Sequence, residues 1–110
     1  MSQYKAPLND ISFVLKHVVG LGDVAKLAGC EDVSDDLVDA IFSEAGKFAA
    51  EVLAPLNRSG DTEGAKIANG VVTTPAGFKA AYGKYIEGGW CGLEVSTEYG
   101  GQGLDRKSVV

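Results

Sequence analysis

One stretch limits what this chain can become more than any other. In "VSDDLVDAIFSEAGKFAAEVLAPLN", Leu37, Val38, Ile41, Phe42, Ala45, Phe48, Ala49, Val52, Leu53 and Leu56 recur at spacings of three and four. That period places them on one broad side of an α-helix, which then needs a neighbour to bury it. Ser34 suits the N-cap, since its hydroxyl can accept from a free N–H of the first turn. Asp35, Asp36 and Asp39 follow where the helix dipole favours carboxylates. Pro55 is expected to kink or end the helix near its last turn, because it lacks an N–H and crowds the carbonyl four residues back.

The remaining segments also read mostly as helix. "YKAPLNDISFVLKHVV" carries Ile11, Phe13, Val14, Leu15, Val18 and Val19 on a rough stripe, with Pro7 ahead of it and Asn9 or Asp10 as cap. Its β-branched content leaves a strand open, and Gly20 and Gly22 end it either way. Asn69-Gly70 predicts a two-residue hairpin turn with positive φ at both positions. Short strands at Lys66–Ala68 and Val71–Thr73 should flank it. "TTPAGFKAAYGKYIEGG" predicts a helix with Thr74 as cap and Pro75 at its first position. Phe78, Ala81, Tyr82, Tyr85 and Ile86 form its buried side, Gly88 and Gly89 its stop. Trp90 and Leu93 should anchor the loop that follows. The expected fold is mostly α, about three helices with one small hairpin.

Composition narrows the function classes. In 110 residues the net charge is −5, and 45% of the residues are apolar. Nine acids and four bases lie before Leu56, six and six after it, so the acidity belongs to the first half. No basic patch exists, which argues against nucleic acid and against an anionic membrane. No apolar run approaches a membrane span, and "MSQYKAPLND" is not a secretory leader. Cys30 and Cys91 read as free thiols of a reducing compartment, so the expected location is cytoplasmic.

Chemical constellations are sparse. Gly20-Leu21-Gly22-Asp23-Val24-Ala25 matches a phosphate-binding turn, but only if a strand precedes it. A plain helix–loop–helix turn is the competing reading. Glu31, Asp32, Asp35, Asp36 and Asp39 lack the alternation and the bend glycine of a calcium loop, so they read as capping and solvated acids, and no metal site is expected. His17 has no partner at a readable spacing. Cys91 reads as a small buried residue, Tyr82 and Tyr85 as helix core. No catalytic residue is assigned.

The closing run supplies a resemblance. "GGWCGLEVSTEYGGQGL" places Trp90, Gly92 and Leu93 ahead of Tyr99, Gly100, Gly101 and Gly103. This resembles the end of the N-terminal helical domain of acyl-CoA dehydrogenases. "YKAPLNDISFVL" and "EVLAPLNRSGDTEGAKIANGVVTTPAGFKAAY" resemble the larger branch of that family, which includes enzymes on methylthiopropionyl-CoA-type substrates. The similarity runs from Tyr4 to Leu104; the family often has proline where Ser96 and Asp105 stand.

The resemblance implies a truncated N-terminal helical domain of the acyl-CoA dehydrogenase fold. Residues 1–33 would form an N-terminal extension with a short helix, 34–104 the helical domain, and 105–110 the start of an unfinished helix. It also implies FAD in a full-length enzyme that desaturates an acyl-CoA thioester between its α and β carbons. A carboxylate outside this chain would take the α-proton while the flavin receives the β-hydride. Electron-transfer flavoprotein would be a partner, and the full-length enzyme a homo-oligomer. Tyr99, Gly100, Gly101, Gln102 and Gly103 would lie beside substrate or cofactor, the dull alternative being a turn with no ligand contact. This chain alone would hold no flavin, show no activity, pack loosely and self-associate. The alternative from another class is a stand-alone helical interaction module without chemistry.

Overall fold

Ser34 opens the element that organises the molecule. Its backbone is extended (φ −112°, ψ 155°) and its Oγ accepts from the Leu37 N–H at 3.2 Å. Helix α3 runs Asp35–Phe48, widens into a π-helical turn at Ala49–Leu53, and continues as α4, Ala54–Glu63. Pro55 therefore does not end the helix. A proline would clash with the carbonyl of Glu51, four residues back, and Glu51 lies inside the widened turn. The extra residue in that turn gives the ring room, so the helix passes through and stops eight residues later. The computed structural model describes residues 3–104; the helix expected at 105–110 lies outside them.

The N-terminal segment is helical, not a strand. Helix α1, Leu8–Phe13, passes into a π-helical turn at Val14–Val19 and ends on Gly20, which adopts φ +79°. Neither Asn9 nor Asp10 caps it; Pro7 occupies the cap position with no side-chain bond, and both polar residues lie inside the helix. A short helix α2, Leu21–Val24, follows the glycine. Helix α1 crosses α3 at Gly46, where an added Cβ would stand 3.3 Å from a Leu8 methyl. Asp39 of α3 ties the crossing together by accepting from Ser12 Oγ at 3.1 Å and Lys16 Nζ at 2.6 Å.

One core results. Leu15 of the first π-turn, Leu21 of α2, Val33 and Val38 meet Leu93 and Leu104 from the far end of the chain. Ile11, Cys30, Ile41, Phe42 and Trp90 pack around them, partly covered. Each buried aliphatic side chain contributes about 1.5–3 kcal/mol by leaving water.

The hairpin forms as its turn chemistry dictates. Strands β1, Lys66–Ala68, and β2, Val71–Thr73, pair antiparallel with Ile67 opposite Val72. Asn69 (φ +52°) and Gly70 (φ +75°) make the turn, and all six strand residues are exposed. Helix α5 then runs Phe78–Glu87. It starts later than Pro75, because Gly77 takes φ +86° and breaks the backbone between them. The Glu63 carboxylate accepts from the Ala76 N–H at 3.2 Å and holds that turn to the end of α4.

The expected apolar side of α5 does not close. Only Ala81 is buried; Phe78, Tyr82, Tyr85 and Ile86 are exposed, Tyr82 by 61%. Likewise Phe13, Val14, Val18 and Val19 leave most of the α1 stripe in water, and Leu37 and Leu53 are exposed on the long helix. The chain is a slab of 53 × 37 × 19 Å with a radius of gyration of 17.1 Å. A close-packed domain of this length would have about 13 Å.

Candidate functional site

The loop from Gly88 to Leu104 is built by its glycines. Gly89 (φ +74°) stops α5 and starts a 3₁₀ turn, Trp90–Gly92. Leu93 then enters the core. Ser96 opens a second 3₁₀ turn, Thr97–Tyr99, its Oγ accepting from the Glu98 N–H at 3.3 Å, and Gly100 (φ +82°) closes that turn. The chain then doubles back on itself. Gln102 N–H donates to Gly92 O at 2.9 Å, Gly103 N–H to Val95 O at 2.8 Å, and Leu104 N–H to Leu93 O at 2.8 Å. Leu93 and Leu104, joined by that bond, pin both ends of the loop in the core.

Gly101 is the tightest point. A Cβ there would overlap the Val95 carbonyl. Its missing side chain lets two stretches of backbone meet, so this glycine serves the loop's own fold. The five residues singled out from the sequence separate accordingly. Gly101 faces Val95, Gly103 faces Thr97, Gly100 supplies the left-handed turn, and Tyr99 stands 77% exposed at the tip. Gln102 lines a groove, its amide lying over Gly89.

That groove, about 730 Å³, runs between α3 and the end of α5. Ile41, Phe48, Val52, Trp90 and Leu93 make its apolar part. Glu44, Glu51 and Glu87 oppose Lys47 and Lys84 at its edges, with Lys47 and Glu44 paired at 2.6 Å. A second groove, about 340 Å³, continues along the same seam between Leu53, Leu56, Phe78, Ala81, Tyr82 and Tyr85. Four rings follow the seam: Trp90 to Phe48 at 6.1 Å, Phe48 to Tyr85 at 6.2 Å, Tyr85 to Tyr82 at 6.4 Å. Rings at these separations attract weakly, and here they line an apolar wall. Sequence reasoning read Tyr82 and Tyr85 as helix core, Phe48 as part of an apolar helix side and Trp90 as a loop anchor, and did not bring the four together. Their spacing on two separate helices signals an apolar side, not whether anything covers it.

The other motifs resolve plainly. The segment before Gly20 is helical, so Gly20–Ala25 is a left-handed helix stop and not a strand-to-helix phosphate turn. Asp23 of that turn pairs with Lys26 at 2.8 Å. Among the described residues no three His, Cys, Asp or Glu side chains gather where they could hold a metal ion. Cys91 is exposed rather than buried, on the 3₁₀ turn two residues before the buried Leu93; Cys30 is half-buried. His17 is exposed against the Phe13 ring at 4.9 Å. The Lys16 hydrogen bond holds the Asp39 carboxyl below its usual range, and the same bond raises Lys16. Glu31 is lowered by hydrogen bonds from its own backbone N–H and that of Gly29.

The larger groove carries three carboxylates against two ammonium groups, a poor lining for a cofactor diphosphate. No described helix is long and apolar enough to cross a membrane.

No protein-family model matches the chain. Across 103 residues it is 39% identical to 3-methylmercaptopropionyl-CoA dehydrogenase of Ruegeria pomeroyi. The match covers 94% of this chain and 18% of that protein, so the chain spans about a fifth of the length of the curated relative it matches.

Proposed function

Since the chain belongs to the acyl-CoA dehydrogenase family, we propose that it works as the N-terminal helical domain of a flavin-dependent acyl-CoA dehydrogenase. The whole enzyme would desaturate an acyl-CoA thioester between its α and β carbons. One observation carries this reading: nearly all of the chain aligns, yet it accounts for only 18% of the relative. The open seam supports it, because an apolar wall with rings at its base is the surface a domain presents to the rest of its enzyme.

In this reading residues 1–33 are an extension that braces α3 through Asp39, and 34–104 are the helical domain proper. FAD, the base that takes the α-proton and the thioester site belong to polypeptide outside this chain, in keeping with the poor fit of its own groove. The glycine loop acts as a rigid strut, and Tyr99 and Gln102 are the side chains it presents towards substrate or cofactor. Electron-transfer flavoprotein receives the electrons, and the enzyme is a cytoplasmic homo-oligomer. The chain by itself carries no flavin and no activity.

A chimaera tests this. This chain replaces the matching stretch of the Ruegeria pomeroyi enzyme, and acyl-CoA-dependent bleaching of the bound flavin is measured. Retained bleaching is expected. A soluble, flavin-loaded chimaera that no acyl-CoA bleaches would overturn the proposal.

A further inference from the structure

Asn69 forms the hairpin turn with Gly70, and every strand residue on either side of it is exposed. We propose that Asn69 is a site of spontaneous deamidation, and that the isoaspartate produced unzips the hairpin. The chemistry needs only water. The Gly70 amide nitrogen attacks Cγ of Asn69 and an N–Cγ bond forms. The bond from Cγ to the side-chain nitrogen breaks, and ammonia departs. The proton lost by Gly70 reaches that ammonia through solvent. Water then opens the cyclic imide. Attack at Cγ gives aspartate; attack at the α-carbonyl gives isoaspartate.

Three observations place this reaction at Asn69. Its successor has no side chain to block the attacking nitrogen. Its own side chain has no hydrogen-bond partner among the described residues, so nothing holds the amide away from its neighbour. The turn itself, at φ +52° and +75°, fixes Asn69 left-handed, so the hairpin must open before the backbone can turn towards attack. Opening is cheap, because a lone two-stranded hairpin is marginal and Ile67, Val71 and Val72 make no buried contact (73%, 65% and 63% exposed). Asn9 and Asn57 are built-in controls. They lie inside α1 and α4, followed by Asp10 and Arg58, whose side chains crowd the attack.

Isoaspartate adds a methylene to the main chain. A turn that holds its register with two residues, both at positive φ, has no place for the extra atom. The reaction also adds one negative charge. Its rate reports hairpin opening, so any surface that covers Ile67 and Val72 slows it.

The test incubates the chain at mildly alkaline pH and maps amide-to-acid conversion by peptide mass spectrometry, with an isomer-resolving separation. A parallel sample is held unfolded in urea. Conversion at Asn69, within about ten-fold of the unfolded rate, with Asn9 and Asn57 intact, is expected. A folded rate more than about a hundred-fold below the unfolded one would show a hairpin that protects its turn and would overturn the proposal. Equal conversion at all three asparagines would overturn the site assignment. The purified isoaspartyl form should lose the cross-strand nuclear Overhauser contact between Ile67 and Val72; its persistence would refute the unzipping.

Discussion

Helices α1 and α5 both carry apolar stripes, and they end differently. From α1 and its π-turn, Leu15 is buried and Ile11 packs beside it; from α5, only Ala81 is buried. The first region is closed by a third partner. The glycine loop brings Leu93 and Leu104 across from the chain's far end and fills the angle between α1, α2 and α3. The second region has nothing of the kind. Phe78 lies over Gly60 and Gly77 sits on Leu56, so α5 is seated at its start. Beyond that seat Tyr82 and Ile86 face water. Amphipathicity therefore states a demand for burial, and a third element decides whether it is met.

The largest effect should come from the loop that closes the first region. Gly101→Ala drives a methyl into the Val95 carbonyl, which the Gly103 hydrogen bond holds in place. A loss of about 3 kcal/mol in urea-unfolding stability is expected, at the upper end of overpacking effects. A loss under about 1 kcal/mol would mean that the loop relaxes freely and does not brace the core.

Next comes a direct contrast between the regions. Leu93→Ala, at a side chain 5% exposed, should cost about 2–4 kcal/mol. Ile86→Ala, 52% exposed on α5, should stay within about 0.5 kcal/mol. Similar losses for both would break the comparison, because α5 would then bury Ile86 in solution. Adding the rest of the enzyme should raise the cost of Ile86→Ala and leave that of Leu93→Ala unchanged.

The smallest effect concerns the pair that ties α1 to α3. The folded Asp39 pKa is lowered, so its contribution is complete above the ordinary aspartate value and fades as pH falls through the folded one. The folded Lys16 pKa is raised, so its contribution is complete below the ordinary lysine value and fades as pH rises through the folded one. Both groups are open to solvent, so the slope is shallow and salt weakens it. Urea midpoints of the chain and of Asp39→Asn across acidic pH should converge. A constant gap between them down to the lowest pH would remove the pair from the account.

What could be read early follows the range of the forces. Ser34 and the Asn69-Gly70 turn were legible because each satisfies its own neighbours within four residues. Pro55 was expected to kink or end the helix and does not end it, because the relief lies in the preceding turn, where Ala49–Leu53 widens; the sequence carries no mark of an extra residue per turn. Pro75 misled because Gly77, two residues on, takes a conformation that only glycine adopts easily and so resets the helix start. In the glycine loop, the sequence marked Tyr99 to Gly103 as one group; the structure places Tyr99 at the tip, the three glycines at turns and close backbone approaches, and Gln102 at a groove.

By itself the sequence determined the helical stretches, the hairpin and the family, because periodicity, turn chemistry and residue order are local or cumulative along the chain. Only the tertiary structure decided which apolar sides close, because burial depends on residues distant in sequence arriving at one place. Leu93 and Leu104 arrive at Leu15 and Val38 and close that side, while Tyr82 and Ile86 keep more than half of their surface in water.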